Sequence, residues 1–163
     1  MKAIVAVDKK FGIGHKGNLL LRIPGDMKFF KENTINNVIV MGRETLESLP
    51  KQAPLKDRVN IVLTRSKDYK KDGFVVCNSV NETLEKLKEY TNKEVFIIGG
   101  EAIYKEFLPY CDELYITKIE NEYIADKYFP NISNDKSWEL YEESEERSHD
   151  DIKYKMTKYK NVK

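Results

Sequence analysis

Asp26 lies in the stretch Leu20-Leu21-Arg22-Ile23-Pro24-Gly25-Asp26-Met27-Lys28-Phe29-Phe30, one carboxylate among apolar neighbours at what reads as a helix start. Pro24 suits a first helical position, where its missing N–H costs nothing, and Met27, Phe30 and Thr34 continue a stripe at helical spacing. Asp26 and Phe30 are four apart and therefore share a face. If that face lines a pocket, desolvation raises the carboxyl pKa and makes Asp26 a catalytic candidate, able to bind or protonate a nitrogen base. An aspartate in a first turn also serves simply to satisfy backbone N–H groups and the helix dipole. Its immediate neighbours do not separate the two roles.

Three apolar runs end in residues suited to anions. Val38-Ile39-Val40-Met41 runs into Gly42-Arg43-Glu44-Thr45, a glycine that permits close approach followed by a guanidinium and a hydroxyl at a helix start. Ile61-Val62-Leu63 runs into Thr64-Arg65-Ser66, and Val95-Phe96-Ile97-Ile98 into Gly99-Gly100-Glu101-Ala102-Ile103-Tyr104. In an open α/β sheet, ligands lie across the carboxyl ends of the strands, so these endings can meet one extended, phosphate-bearing molecule. Singly, each is equally a plain turn or a solvated arginine. Neither G-x-G-x-x-G nor G-x-x-x-x-G-K-[ST] is present, which excludes the ordinary Rossmann and P-loop fingerprints. Arg43 and Arg65 offer forks for an extra phosphate and favour NADPH over NADH, whereas Glu44, in the same turn, suits a 2′-hydroxyl.

The elements that must position these groups follow from hydrophobic pattern. Ala3 to Val7, Val38 to Met41, Ile61 to Leu63, Phe74 to Cys77 and Val95 to Ile98 are short continuous apolar runs, as expected of strands buried on both faces. Ser79-Val80-Asn81-Glu82 reads as a capping box opening a helix with Val80, Leu84 and Leu87 on one side, and a second helix follows Gly100 with Ile103 and Phe107 four apart. Alternating strands and helices predict an α/β fold, a mostly parallel sheet covered on both faces. After Pro109 the period changes to two in Leu114 to Ile119, Trp138 to Tyr141 and Ile152 to Met156, which predicts half-exposed or antiparallel strands and hence a mixed sheet.

The 163 residues fit one domain over 1–163, with 28 Lys plus Arg against 27 Asp plus Glu. The net charge of +1 gives no global case for nucleic acid or an anionic membrane, and points to a small-molecule partner. The acidic stretch Glu142 to Asp151 reads as a solvated hairpin end, and the lysine-rich C-terminus as a guarded edge or outer strand. No apolar stretch reaches the roughly 18 residues of a membrane span, and Met1 to Asp8 is too short for a signal, so a soluble, cytoplasmic protein is expected. Cys77 and Cys111 stand alone with His15 and His149, suggesting neither a disulfide framework nor a metal site.

In this order the residues resemble dihydrofolate reductase over essentially the whole chain. The likeness is carried by Ile4-Val5-Ala6, Ile13-Gly14, Pro24-x-Asp26-x-x-x-Phe30, Met41-Gly42-Arg43-x-Thr45, Arg58-x-Asn60, Ile98-Gly99-Gly100-x-x-x-Tyr104 and Tyr115-x-Thr117. The resemblance implies a single-domain, mostly parallel mixed sheet of about eight strands with an antiparallel C-terminal strand, and NADPH-dependent reduction of 7,8-dihydrofolate to tetrahydrofolate. It further implies a monomer, with antifolate inhibitors among its small-molecule partners.

Carried onto this chain, the resemblance makes Asp26 the carboxylate that bonds the pterin 2-amino group and N3, with Thr117 supporting it through water. Ile4, Val5, Ala6, Met27, Phe30, Leu49, Leu55 and Ile98 become pocket walls, although each suits core packing equally. Arg58 matches the arginine that clamps the carboxylate of the glutamate tail. Gly42, Arg43 and Thr45 match one phosphate-binding helix start, Arg65 and Ser66 the 2′-phosphate site, and Gly99 to Tyr104 the pyrophosphate turn, where the family joins its two glycines by a cis peptide; Glu44, Leu63, Thr64 and Ile98 belong to the same cofactor site. Ala6, Ile13, Gly14 and Asn18 fall beside or within a loop, Lys9 to Leu19, that resembles the mobile segment closing over nicotinamide.

The chain departs from the family at Leu21, which replaces a usual tryptophan, at Leu20, which replaces a proline, and at Lys56-Asp57, which replaces Pro-Gly before Arg58. A leucine has no N–H with which to position the water that the tryptophan holds. Two other readings stay open on the sequence: a reductase of the pyrimidine of riboflavin synthesis, which the pairing of Asp26 with Arg58 disfavours, and a non-catalytic pterin or nucleotide binder.

Overall fold

The computed structural model describes residues 1–163. The five apolar runs all form strands, because a segment apolar on both faces is stable only between two helical layers. In chain order the elements are β1 (Lys2–Val7), β2 (Gly12–His15), β3 (Asn18–Leu19), α1 (Pro24–Thr34), β4 (Val38–Gly42), α2 (Arg43–Ser48), β5 (Val59–Leu63), β6 (Phe74–Cys77), α3 (Val80–Leu87), β7 (Val95–Gly99), α4 (Glu101–Phe107), β8 (Glu113–Ile119), β9 (Lys127–Tyr128), β10 (Trp138–Glu143), β11 (Arg147–His149) and β12 (Ile152–Asn161).

The main sheet has the order β10-β12-β8-β1-β7-β4-β5-β6, with β11 pairing β12 from outside that path. From β8 to β6 every pairing is parallel, and β12 and β10 add the antiparallel end. One face packs Leu46 of α2 and Phe29 and Phe30 of α1 against Ile4, Ile39, Met41, Val62 and Phe96. The opposite face packs Ile103, Tyr104 and Phe107 of α4, with Val80, Leu84 and Leu87 of α3, against Ala3, Val5, Val7, Val40 and Ile97. The α3 cap differs slightly from a reciprocal box: Glu82 N donates to Ser79 Oγ at 3.0 Å, while the Glu82 carboxylate accepts from Asn78 N, one residue earlier than the cap itself, also at 3.0 Å.

Two expectations are corrected. The Leu114–Ile119 run alternates in sequence, and β8 does pair antiparallel with β12, yet it is also parallel to β1 and almost wholly buried rather than half-exposed. Its polar positions are absorbed locally, since Thr117 bonds Asp26 and Lys118 bonds the Tyr159 hydroxyl. The lysine-rich β12 is likewise no edge: β10 covers it, and Lys155, Lys158 and Lys160 meet Glu143, Glu142 and Glu139 at 3.3, 3.1 and 3.7 Å. Opposite charges across two antiparallel strands favour pairing where lysines alone would have guarded an edge. The acidic stretch is a hairpin end as expected, with Asp150 and Asp151 at positive φ joining β11 to β12.

Lys9 to Leu19 is more ordered than its three glycines suggest. It forms the β2-β3 hairpin of a second small sheet in which β2 also pairs β9. The buried Asp8 carboxylate accepts from the backbone N–H groups of Lys10, Gly12 and Tyr123 at 2.9, 2.8 and 3.0 Å, tying the start of this segment to the chain that follows β8.

Candidate active site

The structure separates the two roles open to Asp26. Ile23 is the N-cap of α1 and Pro24 begins the helix, but no side chain caps its N–H groups. The Asp26 carboxylate is spent elsewhere: Thr117 Oγ1 on β8 donates to Asp26 Oδ1 at 2.6 Å, and the second carboxylate oxygen has no protein partner. The bond is direct, where the resemblance implied a bridging water. Burial pushes the Asp26 carboxyl above its ordinary range, and the Thr117 hydrogen bond only partly opposes that rise. A carboxylate clear of its helix cap and desolvated, with one free oxygen, is suited to a flat amidine-like edge carrying two N–H groups.

Around it the structure collects Ile4, Phe30, Leu49, Leu55 and Ile98 in one apolar cluster with Phe29 and Tyr115. Ala6 stands opposite Thr117 in the β1/β8 register and packs toward Ile23 and Ile119. Alternation along β1 turns the Val5 side chain to the other face, where it packs with Ala3, Val7 and Ile97, so that only its backbone is left to this pocket. Met27 lies on the exposed side of α1, 51% accessible. Phe29 was missed although its position three residues from Asp26 is a helical-face signal, and its ring lies 6.2 Å from that of Tyr115.

Arg58 is held at the end of α1 by its own contacts, Nη1 donating to Thr34 Oγ1 at 3.2 Å and Nε to the Lys56 carbonyl at 2.9 Å. Burial draws its pKa below the ordinary guanidinium value, against the neighbouring Asp57. Asp57 adopts φ 60°, so an aspartate meets a left-handed turn of the kind that favours glycine. Asn60 closes this turn, exchanging hydrogen bonds with the Leu55 backbone at 2.9 Å in both directions and donating to the Arg58 carbonyl at 3.0 Å.

The strand endings lie side by side, because β7, β4 and β5 are consecutive in the sheet, with Met41 opposite Gly99 and Gly42 opposite Leu63. The Gly99–Gly100 bond is cis, and Gly99 has φ 126°, a conformation that side-chain-bearing residues rarely adopt. A Cβ at Gly42 would stand 2.9 Å from Ile103 Cγ1, and one at Gly99 3.5 Å from Thr45 Oγ1. The starts of α2 and α4 therefore meet over bare backbone, with the Thr45 hydroxyl between them. The residues fit a dinucleotide: backbone N–H groups at two helix starts, a hydroxyl, and the exposed, unpaired Arg65. Arg43 lies over the Tyr69 ring at 4.2 Å, with Nε 3.3 Å from Glu47; Glu44, Ser66 and Ala102 are exposed and Glu101 is half-buried. Leu63 and Ile103 turn their side chains into the core, leaving only backbone to a ligand. Tyr104 is buried, and its hydroxyl donates to the Ile4 carbonyl at 2.7 Å, joining α4 to β1. Asn78 was missed: its amide donates to the Thr64 and Ser66 carbonyls at 2.8 and 3.1 Å and fixes the turn that presents Arg65. No sequence motif marks it. Ile13 and Gly14 sit on β2 and the exposed Asn18 on β3, in the hairpin.

The dihydrofolate reductase family profile matches residues 1–162. The chain belongs to the dihydrofolate reductase family. Dihydrofolate reductase of Staphylococcus haemolyticus is 41% identical over 132 residues, 81% of this chain and 77% of that protein. The Bacillus subtilis dihydrofolate reductase is 36% identical over 137 residues, 84% of this chain and 79% of that one. Among solved structures, dihydrofolate reductase from Enterococcus faecalis complexed with NADP(H) and RAB-propyl superposes with a TM-score of 0.89 at 36% identity, covering 99% of this chain and 96% of the other. Within this dihydrofolate reductase, the Asp26–Thr117 pair lies on one side of β1 and the glycine cradle on β7 and β4, one and two strands to its other side, so the two halves of the site share one end of the sheet.

Proposed function

We propose that this reductase converts 7,8-dihydrofolate to tetrahydrofolate with NADPH, and that Asp26 anchors the pterin. The single observation carrying the reading is the desolvated Asp26 carboxylate, bonded to Thr117 and not to its own helix cap. Its two oxygens match the 2-amino and N3 edge of a pterin, a two-point contact that strengthens as water is excluded. The same edge geometry suits the amidine-like face of an antifolate. Phe30, Leu49 and Leu55 pack the flat rings, and Arg58, already oriented by Thr34, offers its remaining N–H groups to a tail carboxylate.

For the cofactor, the starts of α2 and α4 hold phosphates, and Arg65 with Ser66 on the turn braced by Asn78 receives the 2′-phosphate. Bound NADPH supplies a hydride. The protein's own part is positional: it aligns the two ring systems, excludes water through the β2-β3 hairpin, and holds near the pterin the proton that its nitrogen must gain. Asp26 favours that protonation electrostatically, because a negative charge in a desolvated pocket stabilises a cation on the ring beside it. We infer one domain over 1–163, acting as a monomer in the cytoplasm; the two free, buried cysteines agree with a reducing compartment. No helix is long and apolar enough to cross a membrane.

The test is NADPH oxidation followed by absorbance, with and without dihydrofolate. Substrate-dependent decay is expected, and Asp26→Asn should lower kcat/KM by ~10²–10⁴-fold at neutral pH, since the variant cannot carry the charge. Oxidation that does not depend on dihydrofolate would overturn the reading.

A further inference from the structure

Tyr154, on β12, pairs with Ile119, and Met156 two residues on stands opposite Thr117, so the phenol lies on the sheet face beneath the start of α1. It is 5% exposed, with its ring packed among Ile23, Ile119 and Met156. Its hydroxyl makes no hydrogen bond to the protein, yet no sealed-in polar atom is left unsatisfied, so the hydroxyl reaches accessible space. Gly25 makes room for it. A Cβ at residue 25 would collide with the Tyr154 hydroxyl, and because that ring is wedged in the core the clash would not relax cheaply. Gly25 has no positive φ, so backbone conformation does not demand a glycine there, and glycine in place of alanine weakens a helix. The residue that follows is Asp26, whose second carboxylate oxygen has no protein partner. Leu21 packs against the same cluster and carries no polar atom.

We propose that Tyr154 is a positioning residue for the reaction: its hydroxyl, in the space left by Gly25, holds the water through which solvent supplies the proton. The inference rests on the reductase reading. Hydride from NADPH adds to the carbon of the pterin C=N bond, a proton from bulk water adds to its nitrogen, and NADP⁺ remains, so electrons and protons balance with no further reactant. A phenol hydroxyl has one donor and two acceptor sites, enough to fix one water in a chain while keeping its own proton count unchanged. The titratable side chain packed against the same cluster is Tyr123, from the segment after β8, and Asp26 follows in α1 directly after Gly25.

Tyr154→Phe keeps the ring and deletes only the hydroxyl. Single-turnover hydride transfer should slow about five- to tenfold with KM for dihydrofolate within twofold, and the solvent deuterium isotope effect should rise, because proton supply becomes limiting. Gly25→Ala, which crowds the hydroxyl, should give the same defect and add nothing to Tyr154→Phe, the signature of one shared device. In ligand-free protein, carbon-detected NMR of the Asp26 carboxyl should show its titration moving upward in Tyr154→Phe, as loss of a water donor removes support from the charged form. A folded Tyr154→Phe with unchanged hydride transfer and isotope effect would overturn the proposal while leaving an active wild type as a reductase. A rise in KM matching the fall in rate would overturn it too, by marking a packing role. A wild type without dihydrofolate-dependent oxidation would sink both readings together.

Discussion

Asp26 shows how far a single residue can be read. Its type, its helical register with Phe30 and its apolar neighbours make it a chemical candidate, but every one of those features also describes a helix-start aspartate. Thr117 decides the matter from 91 positions away, through a 2.6 Å bond that no local pattern encodes. Because burial raises the Asp26 carboxyl, the proton shared by that carboxyl and the bound pterin should be retained to higher pH than an ordinary aspartate allows. The rate of hydride transfer is therefore expected to fall as pH rises, with a midpoint above the usual carboxylate range; Asp26→Asn should flatten that profile in a stopped-flow pH series. Val5 and Phe29 mark the same limit. A motif names the stretch Ile4-Val5-Ala6, but only the strand's alternation assigns Ile4 and Ala6 to one face and Val5 to the other.

At the scale of elements, most of the secondary structure is legible because it obeys local rules. Continuous apolar runs became strands, buried in β1, β4, β5 and β7 and half-buried at the edge strand β6, Ser79 capped α3, and the residues after β4 and β7 became helix starts. Less legible are the side chains that brace loops from outside them. Asn78 secures the Thr64–Ser66 turn and is expected to matter for the 2′-phosphate alone: Asn78→Ala should weaken NADPH binding ~10-fold, or ~1.4 kcal/mol, with NADH affinity within twofold, by fluorescence titration of each cofactor. Asp8 braces the β2-β3 hairpin by accepting three backbone N–H groups. Asp8→Ala leaves those donors without their partner; the variant should lose about 2–4 kcal/mol of stability, and its Lys10, Gly12 and Tyr123 amides should exchange hydrogen faster than in wild type.

For the whole molecule, a carboxyl tuned for binding carries a stability consequence. Asp26 has its pKa raised on folding, so the folded protein holds this proton more tightly than the unfolded chain. Any stability linked to it is present below the ordinary aspartate value of 3.8 and lost as pH rises through the folded-state value. Asp26→Asn should accordingly have a higher Tm than wild type at neutral pH, the difference shrinking in acid; equal thermal shifts at both ends would contradict the linkage. Local periodicity by itself determined the α/β class, the strand and helix segments and the ordered endings that resemble a dihydrofolate reductase, because each depends on residues within a turn or two of one another. Tertiary structure alone decided that alternating β8 is buried between parallel β1 and antiparallel β12, that lysine-rich β12 is covered by β10, that Thr117 reaches Asp26 directly, and that Gly25 opens space for Tyr154. Each of these is a pairing between distant segments, set by which faces meet once the sheet has closed, and a one-dimensional pattern does not hold that information.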